Sequence, residues 1–312
     1  MDDDIRQFER YFKDAVRSDI PFLSLIINYI MRQKGKQVRP KFVFLAARTA
    51  GNFCDDTFLA ATSIELLHTA TLTHDDVVDE TYRRRSLFSI NALWKNKFAV
   101  LAGDFLLAKG MLLNLDHERY DFLKLISRAV KDMSEGEILQ MQKNRSNTMS
   151  FDDYYEVVRK KTASLIAVSM AIGAASVQAA PDVVERMYQI GLDAGTAFQI
   201  KDDIFDYCPS GLLGKPSGND LREGKVTLPL LYALDGVADR RQLLQAAKNR
   251  HKTTAQINLL IDRVTREGGL QRATRQMELF RDRAINALAD FPDSTAKIEL
   301  IALLNYMTAR DK

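Results

Sequence analysis

Apolar residues recur at helical spacing through almost the whole chain, and the short alternating runs that make strands are nearly absent. The stretch holding Phe58, Ser63, Leu66, Leu67, Ala70 and Thr71 with their neighbours shows this spacing. Only seven prolines occur in 312 residues, and most lie between such stretches. Pro21, Pro40 and Pro181 suit the first turns of helices, where a missing N–H costs little, while Pro209, Pro216 and Pro292 punctuate connections. The pattern predicts an all-α chain of roughly ten or more helices joined by short loops. Its clearest non-helical stretch is the glycine- and proline-rich segment over 209–220. No repeat, low-complexity tract or compositional break appears, so a single all-α domain over 1–312 is expected.

Composition narrows the partners. An apolar share of 46% supplies a sizeable core. Forty-four lysines and arginines against 41 acids leave a formal charge of +3, which gives no general reason to expect nucleic acid or an anionic surface as partner. Two cysteines, Cys54 and Cys208, make neither a disulfide framework nor a Cys-rich metal site. The acidic start at Asp2, Asp3 and Asp4 is unlike a signal or transit peptide. The apolar run from Leu165 to Ala180 is interrupted by Ser169, Gly173, Ser176 and Gln178, and reads as a closely packed core helix. A soluble, cytoplasmic protein with no transmembrane segment is therefore expected.

Two acidic triplets carry the chemistry. Asp75, Asp76 and Asp79 stand at i, i+1 and i+4, and Asp202, Asp203 and Asp206 repeat the spacing. On a helix the first and last of each set share a face, an unfavourable crowding unless a cation is nearby. With 41 acids in 312 residues, one such triplet arises by chance about 0.7 times per chain, so one alone could be a solvated helix face. Here, however, both follow mostly apolar segments, 64–70 and 194–200, where unpaired charge is costly. Carboxylate oxygens without Cys or a His pair favour magnesium over zinc, with substrate phosphate completing the ligand set.

Basic residues supply further anion contacts. Lys36 and Arg39 flank a predicted helix start, Arg83, Arg84 and Arg85 follow the first triplet, and Lys161, Lys215 and Lys225 stand beside Thr162 and the glycine-rich segment. Taken singly, each of these could be solvated surface.

In order and spacing these landmarks resemble the trans-isoprenyl diphosphate synthases, in particular the long-chain polyprenyl branch that includes octaprenyl diphosphate synthase. The resemblance runs from Gly35-Lys36-x-x-Arg39-Pro40, through Leu67-His68-Thr69-Ala70, Asp75 to Asp79, Gly103-Asp104, Lys161-Thr162 and Phe198-Gln199-x-x-Asp202-Asp203-x-x-Asp206, to Asp220-x-x-x-Gly224-Lys225-x-Thr227-Leu228-Pro229. It implies the isoprenoid-synthase fold, a large helical bundle around a central active-site cavity, assembled as a homodimer. It implies magnesium at the two acidic triplets, Asp75, Asp76, Asp79, Asp202, Asp203 and Asp206. Arg84, Lys161 and Lys225 would contact the allylic diphosphate, and Lys36, Arg39, His68 and Arg85 the diphosphate of isopentenyl diphosphate. Thr162 and Gln199 would turn oxygen dipoles toward the allylic cation. The chain departs from the family pattern at Ser86, where glycine is usual, at the additional Arg83, and at Lys34, where a second glycine often stands.

The implied reaction is ionisation of an allylic diphosphate such as farnesyl diphosphate, attack by isopentenyl diphosphate, and proton loss, repeated to a long all-trans product. Ala70 and Thr71 precede Asp75 by five and four residues, about 6 to 7.5 Å along a helix. In this family bulky aromatic residues there shorten the product; these two are small, so about seven to ten isoprene units are expected, eight best of all, for a quinone side chain. Ala70 could equally serve close helix packing. Transient membrane contact would accompany release of so apolar a product.

Other all-α readings fit less well. Glu65-x-x-His68 resembles half of a di-iron motif, but no other histidine has a glutamate three residues before it. A terpene cyclase usually carries an Asn/Ser/Glu motif in place of the second triplet, and a regulatory subunit that only binds a partner would not need both triplets.

Overall fold

The computed structural model describes residues 2–32, 35, 37–84, 87–146, 148–208 and 218–309. Among these, helices dominate, and the all-α expectation is borne out. In chain order they are α1 (Asp2–Ala15), α2 (Pro21–Arg32), α3 (Val38–Ala50), α4 (Asp55–Val78), α5 (Ile90–Asp116), α6 (Tyr120–Arg145), α7 (Phe151–Val158), α8 (Ser164–Ser176), α9 (Pro181–Asp206), α10 (Asn219–Arg222), α11 (Leu228–Ala233), α12 (Arg240–Lys248), α13 (Thr254–Arg266), α14 (Gly269–Asn286) and α15 (Thr295–Ala309). A five-residue π-helical segment, Arg159–Ala163, lies between α7 and α8. The one strand pairing among the described residues is a two-residue ribbon, β1 (Arg83–Arg84) with β2 (Leu87–Phe88), antiparallel with Arg83 opposite Phe88.

The residues group into two compact units. The first comprises Met1–Val130, Val168–Tyr188 and Phe291–Leu300. Its centre is α4, apolar around most of its circumference: Phe58, Leu59, Ile64, Leu66, Leu67 and Ala70 are all buried. A helix of that kind is stable only when enclosed by others. α1 docks by Phe8 and Phe12, one turn apart, and the buried Val16 just beyond its end continues the stripe. Phe8 meets the ring of Phe44 edge-on at 6.1 Å, and Asp4 takes two hydrogen bonds from Arg48 at 2.9 and 3.0 Å. Burying each phenylalanine is worth about 1.5–3 kcal/mol, so the stripe outweighs the charged remainder of α1. Arg119 ties the N-terminal turn of α4 to the start of α6, donating to Asp56, Asp121 and the Ala175 carbonyl while lying 3.5 Å over the Phe122 ring.

α5 is the longest apolar element. It, and not the run from Leu165, is long and apolar enough to cross a membrane by length and composition. It packs on α4, with Ser63 donating to Asn114 and Leu66 lying against Gly110. Its other side leaves Leu101, Leu112 and Leu115 exposed, with Asp104 and Lys109 among them. Within it, Lys95 has φ 70° and ψ 163°, which breaks the helix after Trp94. α8, by contrast, is buried along nearly its whole length, as a core helix should be.

The second unit comprises Lys131–Ala167, Gln189–Asp290 and Ile301–Lys312. Its core gathers Tyr154, Val158, Ile200, Ile204, Tyr207, Leu228 and Leu231 with inward residues of α12, α13 and α14. Gly191 and Gly195, one turn apart on α9, let that helix come close to the chain at Ala167 and Ala163, where an added Cβ would stand 2.5 and 2.6 Å from Cα atoms. This close approach is what places Gln199 beside the π segment.

Candidate active site

The first unit holds one group of the expected residues. Asp75 and Asp76 occupy the last turn of α4 and Asp79 follows as its C-cap, its N–H donating to the Asp75 carbonyl at 2.8 Å. Asp76 is only 3% exposed, Asp75 is half-buried and Asp79 is exposed. The Asp76 carbonyl receives the Thr81 N–H at 2.9 Å and the Asn91 amide at 3.0 Å, which fastens the chain beyond the triplet. Gly103 and Asp104 act on the neighbouring His74. Its Nε2 lies 3.2 Å from Asp104 Oδ1, and a Cβ at Gly103 would stand 2.3 Å from that nitrogen.

Arg39 and His68 are brought together, Nη1 to Nε2 at 2.9 Å. An arginine can only donate, so the imidazole Nε2 accepts. His68 lines a cavity of about 1170 Å³ whose wall also includes Gly35, Gln37, Thr69 and Asp76, together with the inner side of α1. Lys36, Arg85 and Ser86 lie outside the described residues, and so does the side chain of Arg84. The additional Arg83 is engaged within the ribbon, its guanidinium 4.9 Å from the centre of the Phe88 ring. Ala70 is wholly buried, and Thr71 donates its hydroxyl to the His68 carbonyl at 2.9 Å.

The second unit holds the other group, around a pocket of about 210 Å³ lined by Lys161, Thr162, Gln199, Asp203, Asp220 and Lys225 among others. Lys161 and Thr162 stand in the π segment, an irregularity that recurs at functional sites because it re-aims side chains. Gly136 on α6 makes room for it: a Cβ there would lie 2.6 Å from the Lys161 nitrogen. Lys161 Nζ donates to Gln140 at 2.7 Å and pairs with Glu137. Gly224, in the left-handed region at φ 75°, turns the chain just before Lys225, and the Lys225 Nζ reaches Glu223 at 2.6 Å and Asp220 at 3.7 Å.

A hydrogen-bonded chain links the rest. Thr162 donates to Gln199 Oε1 at 2.9 Å, Gln199 Nε2 donates to Asp203 Oδ1 at 2.9 Å, and the Tyr154 hydroxyl donates to Asp203 Oδ2 at 2.6 Å. Burial holds the Asp203 carboxyl up, to about 7, although Tyr154 and Gln199 favour its charged form. Burial and the neighbouring Asp220 push Asp206 up to about 6. Asp220 is raised too, by burial, against the pull of Lys225. Tyr154 is held well above the usual phenol value by burial and by Asp203.

The second triplet thus divides its work. Asp202 is exposed, Asp203 is 3% exposed and bound to Tyr154 and Gln199, and Asp206 accepts the backbone N–H groups of Asn219 at 2.8 Å and Asp220 at 3.0 Å. Among the described residues no three His, Cys, Asp or Glu side chains converge into a protein-only metal cage. The donor set is nevertheless hard carboxylate oxygen throughout, which suits a cation that takes one or two carboxylates plus phosphate and water. Tyr154, Glu137, Gln140 and Gly136 escaped the sequence reading. Only the glycine inside a charged helical stretch could have hinted at a close approach.

The polyprenyl synthetase family model matches residues 20–264. The chain belongs to that family. It is 32% identical over 311 residues to heptaprenyl diphosphate synthase component 2 of Bacillus subtilis (strain 168), covering 99% of this chain and 89% of the relative. Octaprenyl diphosphate synthase of Escherichia coli (strain K12) is 33% identical over 301 residues, 96% of this chain and 93% of that protein. The fold of this polyprenyl synthetase superposes on the crystal structure of a polyprenyl synthase from Caulobacter crescentus CB15 complexed with calcium and isoprenyl diphosphate. That match has a TM-score of 0.91 and 32% identity, and covers 100% of this chain and 96% of the other. The helical isoprenoid-synthase fold expected from the sequence is therefore found.

Proposed function

We propose that this polyprenyl synthetase lengthens an allylic diphosphate with successive isopentenyl diphosphates to a long all-trans polyprenyl diphosphate, octaprenyl or close to it. The observation that carries the reading is the chain Thr162–Gln199–Asp203–Tyr154 set beside Lys161 and Lys225 in one pocket. Lys161 and Lys225 would contact the allylic diphosphate with Arg84 and neutralise charge gathering on it as the carbon–oxygen bond lengthens. Gln199, with both amide ends bonded, holds Thr162 by its hydroxyl proton, leaving that oxygen's lone pairs for the developing cation. Arg39 and His68, together with Lys36 and Arg85, would hold isopentenyl diphosphate beside it, a gain from proximity. The departing diphosphate would take the proton.

Asp75, Asp76, Asp79 and Asp202 are the carboxylates that would hold magnesium, with Asp203 and Asp206 supporting Asp202 from the same helix. Magnesium, when bound, supplies Lewis-acid neutralisation of the leaving diphosphate. Ala70 and Thr71 would set product length.

We further propose that the whole chain, 1–312, works as a single catalytic domain, in a cytoplasmic homodimer that touches a membrane when it releases product. The exposed Leu101, Leu112 and Leu115 of α5 support a self-complementary face. The Bacillus subtilis relative is a heptaprenyl diphosphate synthase component 2, which favours a second reading in which a further subunit is required.

The deciding experiment incubates the purified chain alone with farnesyl diphosphate, labelled isopentenyl diphosphate and magnesium, and resolves products by length. A discrete long polyprenyl product, lost with a chelator, supports the proposal. No elongation with any allylic primer favours the second reading, and cyclised hydrocarbon would overturn both.

A further inference from the structure

We infer that helix α1 belongs to the isopentenyl diphosphate site, with Glu9 as a positioning residue that fixes the start of α3 through Gln37. The inference rests on the reading above. Gln37 stands at the N-cap of α3 with φ 49° and ψ 40°, in the left-handed region, yet its side chain makes no capping bond to its own helix. A glutamine held there is strained unless its surroundings fix it. What fixes it is α1: Gln37 Nε2 donates to Glu9 Oε1 at 3.0 Å.

Glu9 is itself rigidly placed. One residue back, Phe8 is buried against Phe44, and five residues back Asp4 takes the two-pronged bond from Arg48, both partners being on α3. α1 is thus fastened to the body of α3 and reaches back to the residue that opens it. Two residues beyond Gln37, Arg39 meets His68 at 2.9 Å. Glu9, Gln37 and His68 line the same cavity. Releasing Gln37 would let the turn before α3 relax, and Arg39, in the first turn of that helix, would lose its aim. The site expected to need this order is that for isopentenyl diphosphate, whereas the allylic pocket with Lys161 and Lys225 is built from other elements.

The test is steady-state kinetics of the full chain with each substrate varied in turn. Glu9→Ala should raise KM for isopentenyl diphosphate about tenfold, the scale of one lost hydrogen bond to a charged group. The allylic KM and kcat should stay within about twofold of the parent. Glu9→Gln, which keeps the accepting oxygen, should restore most of the loss. Gln37→Ala should match Glu9→Ala, and the double variant should be no worse than either, as expected of two residues acting as one contact. Melting curves identify any variant that does not fold, and Gln37→Ala, which lies outside α1, then carries the test. Unchanged KM, additive effects, or a loss confined to kcat or to the allylic substrate would overturn the role of Glu9. A parent chain that elongates nothing would instead overturn the proposed function.

Discussion

The Tyr154 hydroxyl donates to Asp203 Oδ2 at 2.6 Å, and both groups are buried. A carboxylate in such surroundings persists only with donors aimed at it. Tyr154→Phe removes the shorter of its side-chain bonds without opening a large cavity. We expect a loss of about 1.5–3 kcal/mol in stability, as for a hydrogen bond to a charged group, together with slower turnover because Gln199 loses its anchor. Denaturant unfolding and single-turnover rates read the two effects.

The raised carboxyls give the metal-free protein an unusual pH response. Asp203 and Asp206 keep their protons in the fold to about 7 and about 6, whereas in an unfolded chain they lose them near 3.9. Between those limits the folded state binds more protons than the unfolded one, so these two groups make stability fall as pH rises. Melting temperature in the presence of a chelator should therefore drop from pH 5 to pH 8, and Asp203→Asn should flatten the drop. A slope that is unchanged in that variant would reject the assignment.

Gly136→Ala puts a Cβ 2.6 Å from the Lys161 nitrogen and 2.9 Å from Lys160 Cβ, against backbone that cannot yield cheaply. The π segment must shift, carrying Lys161 and Thr162 with it. A displacement near 1 Å at a reacting group costs about a hundredfold in rate, so kcat should fall by that order while the allylic KM rises. Activity within twofold of the parent would show that the segment tolerates the movement.

Ala70→Phe should shorten the product. The site is wholly enclosed, so the ring must claim space now used by neighbours, at about 1–3 kcal/mol of stability. Chromatography of the polyprenyl products settles the matter: an unaltered length distribution would mean that Ala70 serves helix packing alone.

Lys95 offers a stabilising change. Its φ of 70° with ψ of 163° belongs to a region essentially reserved for glycine, at a cost of about 1–3 kcal/mol for other residues. Lys95→Gly should raise the melting temperature by a few degrees after allowing for the extra chain entropy of glycine, about 1 kcal/mol. A lower melting temperature would mean that the lysine side chain contributes more than its backbone costs.

Much of this was legible in the sequence because its cause is local. Helical spacing announced α4 and α9, and the two triplets announced their ends. Identical spelling nevertheless hid different environments. The first triplet straddles a helix end, so Asp79 is exposed in the cap. The second lies inside a longer helix whose terminal residue receives chain returning from 218, so Asp206 is half-buried. Spacing does not encode which chain returns. For the same reason the Tyr154–Asp203 bond, 49 residues apart, and the Glu9–Gln37 bond, 28 apart, left no local trace. The π segment was invisible as well, since Arg159–Ala163 is ordinary helix-forming sequence made irregular by its surroundings.

Asp206 has one further consequence. Its carboxylate receives the N–H groups of Asn219 and Asp220, and its carbonyl receives that of Gly218 at 2.7 Å. Three bonds to one residue fix Gly218, Asn219 and Asp220 to the end of α9. Asp220, and through its carbonyl the Lys225 backbone N–H, are thereby referenced to the end of α9. A change at Asp206 would therefore be felt in the pocket at one remove, through Asp220 and Lys225, so the last residue of α9 serves as the latch on which two later residues of the site hang.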